Sequence, residues 1–416
     1  MPIRIFLLAS LLTTATCPLA AEDDPLDRRR PGTPVEEAAL PEIDPAAVPP
    51  PSSDLPRRFI PVPDRWRLVE SLGVVKEQWW DPYNQNTLKG DRPLFDDVFF
   101  NLSIISDTVY EPRRLPTPIG VQTSERAGSL DVFGAANQYL FAENLLLSFA
   151  FIKGDTSFKP PDYEFRFTPV LNHNYTQVEE VGLLNVDPRR GIERTDHHIG
   201  IQELFLDKHL RNVSDRYDFD SLRVGIQPFT SDFRGFLFQD SQLGVRLFGT
   251  RDNNIFQYNL AWIRRLEKDT NSGLNDAAAR LRDDDIFLAN LYYQDFPAVG
   301  FVSQATLIHN RNREDSSFYY NNNGFLERPA SLGSERPHHY QVTYAGLNGD
   351  GHFGRLNLTG SLYYAFGEDS NSYTTDAPSD ISAWFGAAEV SLDYDWLRLR
   401  GSALYASGDS DPFDNQ

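Results

Sequence analysis

Strict two-residue alternation of apolar and polar side chains constrains this chain more than any other feature. It is clearest in Arg355–Phe366, which Gly354 and Gly367 flank. Successive side chains of an extended strand point to opposite faces. Leu356, Leu358, Leu362, Tyr364 and Phe366 therefore share one side, and Arg355, Asn357, Thr359 and Ser361 the other. From Ile255 to Ile263 the rhythm repeats, with Phe256, Tyr258, Leu260 and Trp262 against Gln257, Asn259 and Ala261. A strand with one apolar and one wet face follows. The spacing does not say whether the apolar face meets a protein core or lipid.

The number of such stretches bears on that choice. Alternation and turn signals give about fourteen extended segments. Their spans are 98–110, 127–141, 145–153, 162–172, 197–208, 220–229, 241–250, 254–265, 285–295, 299–310, 337–347, 352–366, 381–393 and 395–407. Several approach the length of about ten residues that a tilted strand needs to cross a bilayer. The later connections alternate in length. Arg251 to Asn253, Phe296-Pro297, Asn348 to Gly351 and the Asp393-Tyr394 corner are short, whereas 266–284, 311–336 and 367–380 are long and polar. Short turns on one side and long loops on the other characterise outer-membrane barrels. Carried back toward residue 98, strict alternation places a tight Glu143-Asn144 turn on the long-loop side. Either one segment is misplaced, with 163–196 and 228–241 the suspects, or a loop folds inward. Tyr292, Tyr293, Tyr340, Tyr344, Tyr363, Tyr364, Phe366, Trp384, Phe385, Tyr394, Trp396 and Tyr405 fall near strand ends, as interfacial girdles do. In a soluble sandwich or propeller they would be core.

Composition narrows the class. The chain has 416 residues, a formal charge of −20 and a mean hydropathy of −0.44. Outside the extreme N-terminus no apolar run reaches eighteen residues, which excludes a helical membrane protein but not a barrel. The acidity argues against nucleic-acid binding. Residues 1–21 read as a secretory signal peptide, with Arg4, the apolar stretch Ile5–Leu12 and small residues up to Ala20-Ala21. The only cysteine, Cys17, lies inside it. Acylation of Cys17 is the competing reading, and Leu-Thr-Thr-Ala-Thr before it fits poorly. A cleaved chain has no disulfide, so an exported protein of this length needs another closure, such as a hydrogen-bonded barrel. Residues 22–63 are proline-rich and lack apolar periodicity, and read as a disordered linker or a recognition segment for a periplasmic partner. Residues 64–97 form a periplasmic or plug segment. It opens with a helix over 64–78, which Asp64 caps and Leu68, Val69, Leu72 and Val75 stripe. The barrel occupies 98–416. Gly408–Gln416 lacks the aromatic strand with which such barrels end, so the sequence reads as an N-terminal fragment with an unclosed barrel.

The stretch Trp79-Trp-Asp-Pro-Tyr-Asn-Gln-Asn-Thr-Leu-Lys-Gly-Asp-Arg-Pro-Leu94 and the stretch Leu222-Arg-Val-Gly-Ile-Gln-Pro-Phe229 resemble bacterial outer-membrane porin-like barrels, of the uncharacterised and polysaccharide-export kind. The resemblance implies a barrel in the cell outer membrane with a polar lumen, and names no cargo and no binding residue.

Chemistry-bearing motifs are sparse. No G-x-S-x-G elbow, P-loop or Rossmann fingerprint occurs, so no enzyme activity, catalytic residue or cofactor is expected. The pairs His197-His198 and His338-His339 cannot chelate from one side of a strand, because adjacent side chains diverge. Asp283 to Asp285, or Asp350 with its turn, carry oxygen ligands suited to calcium without matching an EF-hand loop. The notable pattern is arginine on the polar face, at Arg166, Arg223, Arg246, Arg355, Arg398 and Arg400, with Glu164, Glu203 and Glu389 beside them. A charge facing lipid at mid-membrane costs about 2–4 kcal/mol, so these residues are expected to line the pore. They form either a salt-bridge ladder or a wall that attracts anions. The expected function is a channel for small polar or anionic solutes. The alternatives are export of an acidic polysaccharide or a non-conducting structural or adhesion barrel. The expected surroundings are outer-membrane lipid outside and solute inside. Leu356, Leu358, Leu362, Val224, Phe256 and Leu260 are expected to face outward.

Overall fold

A computed structural model describes residues 72–73, 89–115, 137–154, 160–216, 218–330, 333 and 335–408. The expected signal peptide and linker lie outside them. So does the helix expected over 64–78, apart from Leu72 and Gly73, which form a turn.

One antiparallel sheet of fourteen strands follows chain order. Its strands are β1 (Lys89–Phe95), β2 (Val98–Arg114), β3 (Asn137–Lys153), β4 (Tyr163–Gln177), β5 (Glu193–Asn212), β6 (Phe219–Thr230), β7 (Gln239–Arg251) and β8 (Phe256–Arg264), followed by β11 (Asp284–Tyr293), β12 (Phe301–Asn312), β15 (Tyr340–Phe353), β16 (Leu356–Asp369), β17 (Ser379–Tyr394) and β18 (Leu397–Ala406). Two small hairpins lie between them, β9 (Glu267–Lys268) with β10 (Asn275–Asp276), and β13 (Tyr319–Tyr320) with β14 (Leu326–Arg328). β1 and β18 are the edges and do not pair with each other. The sheet thus begins before residue 98, inside the segment expected to be helix and turns. Among the described residues no helix is long and apolar enough to cross a membrane.

The structure removes the irregularity in loop lengths. Glu143 and Asn144 are not a turn. They lie within β3, where Glu143 pairs with Thr108 and His173. The two segments expected at 127–141 and 145–153 are therefore one strand where described. A polar dipeptide between apolar runs has the local signature of a turn, but here a buried asparagine ladder occupies that level. Asn172 donates to Asn144 at 2.7 Å. With β3 continuous, the strand ends that follow β1, β3, β5, β7, β11, β15 and β17 share one side, and those that follow β2, β4, β6, β8, β12 and β16 the other.

The expected turn at Asn348–Gly351 is also strand. Gly349 and Gly351 mark close packing instead, since a Cβ on Gly349 would come within 2.5 Å of the Phe301 ring. The chain reverses at Gly354-Arg355, where Gly354 takes φ +62°. Pro169, which cannot donate to a ladder, sits at a register shift between β4 and β5.

The faces invert the usual distribution of a water-soluble sheet. The six residues expected outside share the outer face, Leu362 at 50% and Leu260 at 49% exposure, with Leu347 at 66% beside them. Gln242, Asn290, Gln304, Asn348, Ser361 and Ser391 are buried on the inner face. Part of the aromatic girdle is reassigned. Tyr364 and Trp384 pack together outside, 4.5 Å between ring centroids. Tyr363 lies inside at 2% exposure, as do Tyr292, Tyr344 and Phe385, because they occupy the opposite parity.

The sheet is curled. Phe236, in the β6–β7 connection, packs on Phe385 of β17 at 5.0 Å, and Arg234 pairs with Glu389 at 3.6 Å. In a flat sheet β7 and β17 would stand about 29 Å apart at 4.8 Å per strand. Phe236 lies three residues from β7, an extended reach of about 11 Å. Curvature closes the difference.

Candidate functional site

The inner face of β4 to β7 carries three of the expected pore-lining arginines. Arg166 pairs with Glu164 at 2.6 Å and stands 3.9 Å from Glu203. Glu203 also accepts from the Thr168 hydroxyl at 2.7 Å. Arg223 pairs with Asp207 at 2.8 Å, lies 3.9 Å from Glu164, and covers the Phe205 ring at 4.2 Å. Cross-strand register brings these groups together, since Arg166 opposes Phe205, Glu164 opposes Asp207, and Asp207 opposes Arg223. Arg246 differs. Its Nε donates to Asn259 at 2.8 Å, and its guanidinium lies 4.5 Å from the Phe248 centroid and 5.0 Å from that of Phe229.

The other three arginines do not join this group. Arg355 occupies the β15–β16 turn, off the strand face. Arg398 pairs with Asp393 at 2.7 Å, and Arg400 with Glu389 at 3.3 Å, both at the β17–β18 edge. Asp283 and Asp285 are occupied by Arg264 and Arg313, at 2.8 to 3.0 Å. His198 points inward to the Asn275 carbonyl at 3.2 Å, while His197 stacks on His173 outside at 4.6 Å. His338 and His339 separately meet Asp369 and Asp315.

Two segments cross the inner face, and both come from the long-loop side. The first is 231–238. Asp232 accepts backbone N–H groups from Arg234 at 2.9 Å, Phe236 at 3.2 Å and Leu237 at 3.3 Å, which folds the segment into a compact turn. The buried Ser231 carbonyl accepts from Asn290 at 2.8 Å and Gln304 at 2.6 Å, pinning the turn to β11 and β12. Phe229, Leu237 and Phe238 then complete an apolar cluster with Ile263, Ile286, Leu288 and Ile308 inside the curl. The second is the β9–β10 hairpin, whose Asn275 donates to Ile201 at 3.0 Å and Ser241 at 2.9 Å. The Asn271 carbonyl group accepts from Asn174 at 2.9 Å, and its side chain from Arg194 and Asn323 at 2.5 and 3.0 Å.

Carboxylates hold the connections in shape. Burial alone would raise the Glu314 carboxyl, but donation from Arg282 at 2.7 Å and from Asn312 at 2.8 Å holds it below its ordinary value. Burial likewise opposes ionisation of Asp218, yet the Asn253 and Asn254 backbone N–H groups and the Ser214 hydroxyl win, and its pKa is lowered.

Sequence alone did not identify Asp207, Asn259 or the inward segment. Ser231-Asp232 is a recognisable turn signal, but no local pattern tells which way a connection folds. Comparison with known proteins finds no family model that matches the chain and no curated protein similar to it. The wall described here is rich in amides and hydroxyls, and on β4 to β7 it carries Arg166, Arg223 and Arg246 together with Glu164, Glu203 and Asp207. Such a surface can replace water around a polar solute at many points along its height.

Proposed function

We propose that the chain forms an outer-membrane β-barrel channel for small polar solutes, narrowed from within by residues 231–238. The observation that carries this reading is the inversion of the faces, with exposed leucines outside and buried amides inside. In water, each exposed leucine would forgo about 1.5–3 kcal/mol of burial. In lipid the same face is solvated, and the inner face keeps its hydrogen bonds. The inward segment and the β9–β10 hairpin favour small solutes over a polysaccharide chain, which needs a wider lumen. Lipid is then the outer partner and solute the inner one, with no catalytic step. The test is planar-bilayer recording of the full-length protein. Discrete ohmic steps are expected, and a correctly folded, inserted protein that leaves the bilayer sealed would remove the channel reading.

A further inference from the structure

Arg223 and Arg246 stand directly opposite one another on β6 and β7, and both face inward. Like charges in that position repel. Their surroundings treat them differently. Arg223 has Asp207 at 2.8 Å and Glu164 at 3.9 Å, whereas no carboxylate among the described residues lies within the 4.0 Å ion-pair distance of Arg246. The Arg246 side chain is nonetheless fixed. Asn259 takes its Nε–H at 2.8 Å, and the rings of Phe248 and Phe229 hold the guanidinium plane. Its two Nη groups donate to no protein acceptor among the described residues. A cation fixed between rings, beside a second cation and with no carboxylate in direct contact, is a poor structural device. Removing a charge from water stabilises nothing unless a partner compensates it.

The geometry points to an oxyanion subsite at Arg246, assisted by Arg223, for a carboxylate or phosphate group carried by a small solute. This rests on the inner face being a channel wall. The free edge of a guanidinium presents parallel N–H groups that match two oxygens of such a group, a pairing chloride cannot make. Arg223 adds positive field but, with Asp207 on its own N–H groups, adds no second fork. One solute group at a time should bind, and it should exchange readily, since only one fork holds it.

Calorimetric titration of the refolded full chain in detergent tests this, with inorganic phosphate and succinate as separate probes and chloride as the competitor. Saturable binding of at least one probe is expected, with chloride displacing it poorly, and the responding probe tells which oxyanion is preferred. Arg246→Gln should weaken binding about tenfold or more, the scale of a lost charge-assisted pair. Arg246→Lys, which keeps the charge and loses the fork, should fall between. Should Arg246→Gln not fold, Asn259→Ala releases the guanidinium plane and should weaken binding several-fold. Arg189→Gln, whose side chain is exposed in the 178–192 connection, should leave binding unchanged. Equal binding by the parent and Arg246→Gln, or binding of neither probe, overturns the subsite. Bilayer recording separates the two readings. Arginine-dependent binding without conductance keeps the subsite and removes the channel, whereas conductance without such binding does the reverse.

Discussion

Asp232→Ala tests whether segment 231–238 narrows the lumen. The carboxylate is buried and accepts three backbone N–H groups, from Arg234, Phe236 and Leu237 at 2.9 to 3.3 Å, and the Ser231 hydroxyl at 3.0 Å. Hydrogen bonds to a charged group are each worth about 1.5–3 kcal/mol, and bonds sharing one acceptor do not add. A loss of about 3 kcal/mol for the inward arrangement is a reasonable scale. It corresponds to a shift of about two orders of magnitude in the ratio of inward to released segment. The strand members of the apolar cluster, Phe229, Ile263, Ile286, Leu288 and Ile308, stay in place, so the sheet itself should still fold. Single-channel recording of the full-length protein should show larger conductance steps for Asp232→Ala. Asp232→Asn, which keeps one acceptor oxygen, should be intermediate. Unchanged steps from a variant whose thermal midpoint has fallen would mean that the segment supports the sheet and does not narrow the passage.

Three further outcomes follow from the same structure. Leu347→Arg places a charge on the outer face at a position 66% exposed, and should cost about 2–4 kcal/mol in urea titrations of folding into phospholipid vesicles; folding as stable as the parent's would mean that lipid does not cover this face. Gly349→Ala drives a methyl group to within 2.5 Å of the Phe301 ring, and should destabilise by about 1–3 kcal/mol, read as a lower midpoint of heat-induced mobility shift on gels. The lowered pKa values of Asp218 and Glu314 mean that their stabilisation is fully present above the unfolded carboxylate pKa and is lost as pH falls through the lower folded values. Limited acid proteolysis should therefore begin to cut 313–339 and 213–218 below about pH 4, and cleavage equally fast at pH 7 would contradict the assignment.

Parity along a strand is a local property, so alternation located the outer face of β6, β8 and β16 correctly from the sequence. The same parity placed Tyr363 and Phe385 inside, yet counting aromatics near strand ends assigned them to the interface. Turns were harder where polar or small residues serve packing. Glu143-Asn144 sits on a buried amide ladder, and Gly349 and Gly351 make room for Phe301. Partners were not legible at all. Whether an inward arginine belongs to a ladder or to a solute depends on which residue lies across on the next strand. That is set by register, and a shift of one position exchanges the faces. Arg166, Arg223, Arg398 and Arg400 each meet a carboxylate, and a sequence reader cannot separate them from Arg246. The difference is that Asn259, and not an acid, occupies the neighbouring inward position on β8. An amide there orients the guanidinium without neutralising it. What a solute meets at Arg246 is therefore set by the groups beside it more than by the chain's total of −20, since charges beyond about 8 Å are largely screened by salt.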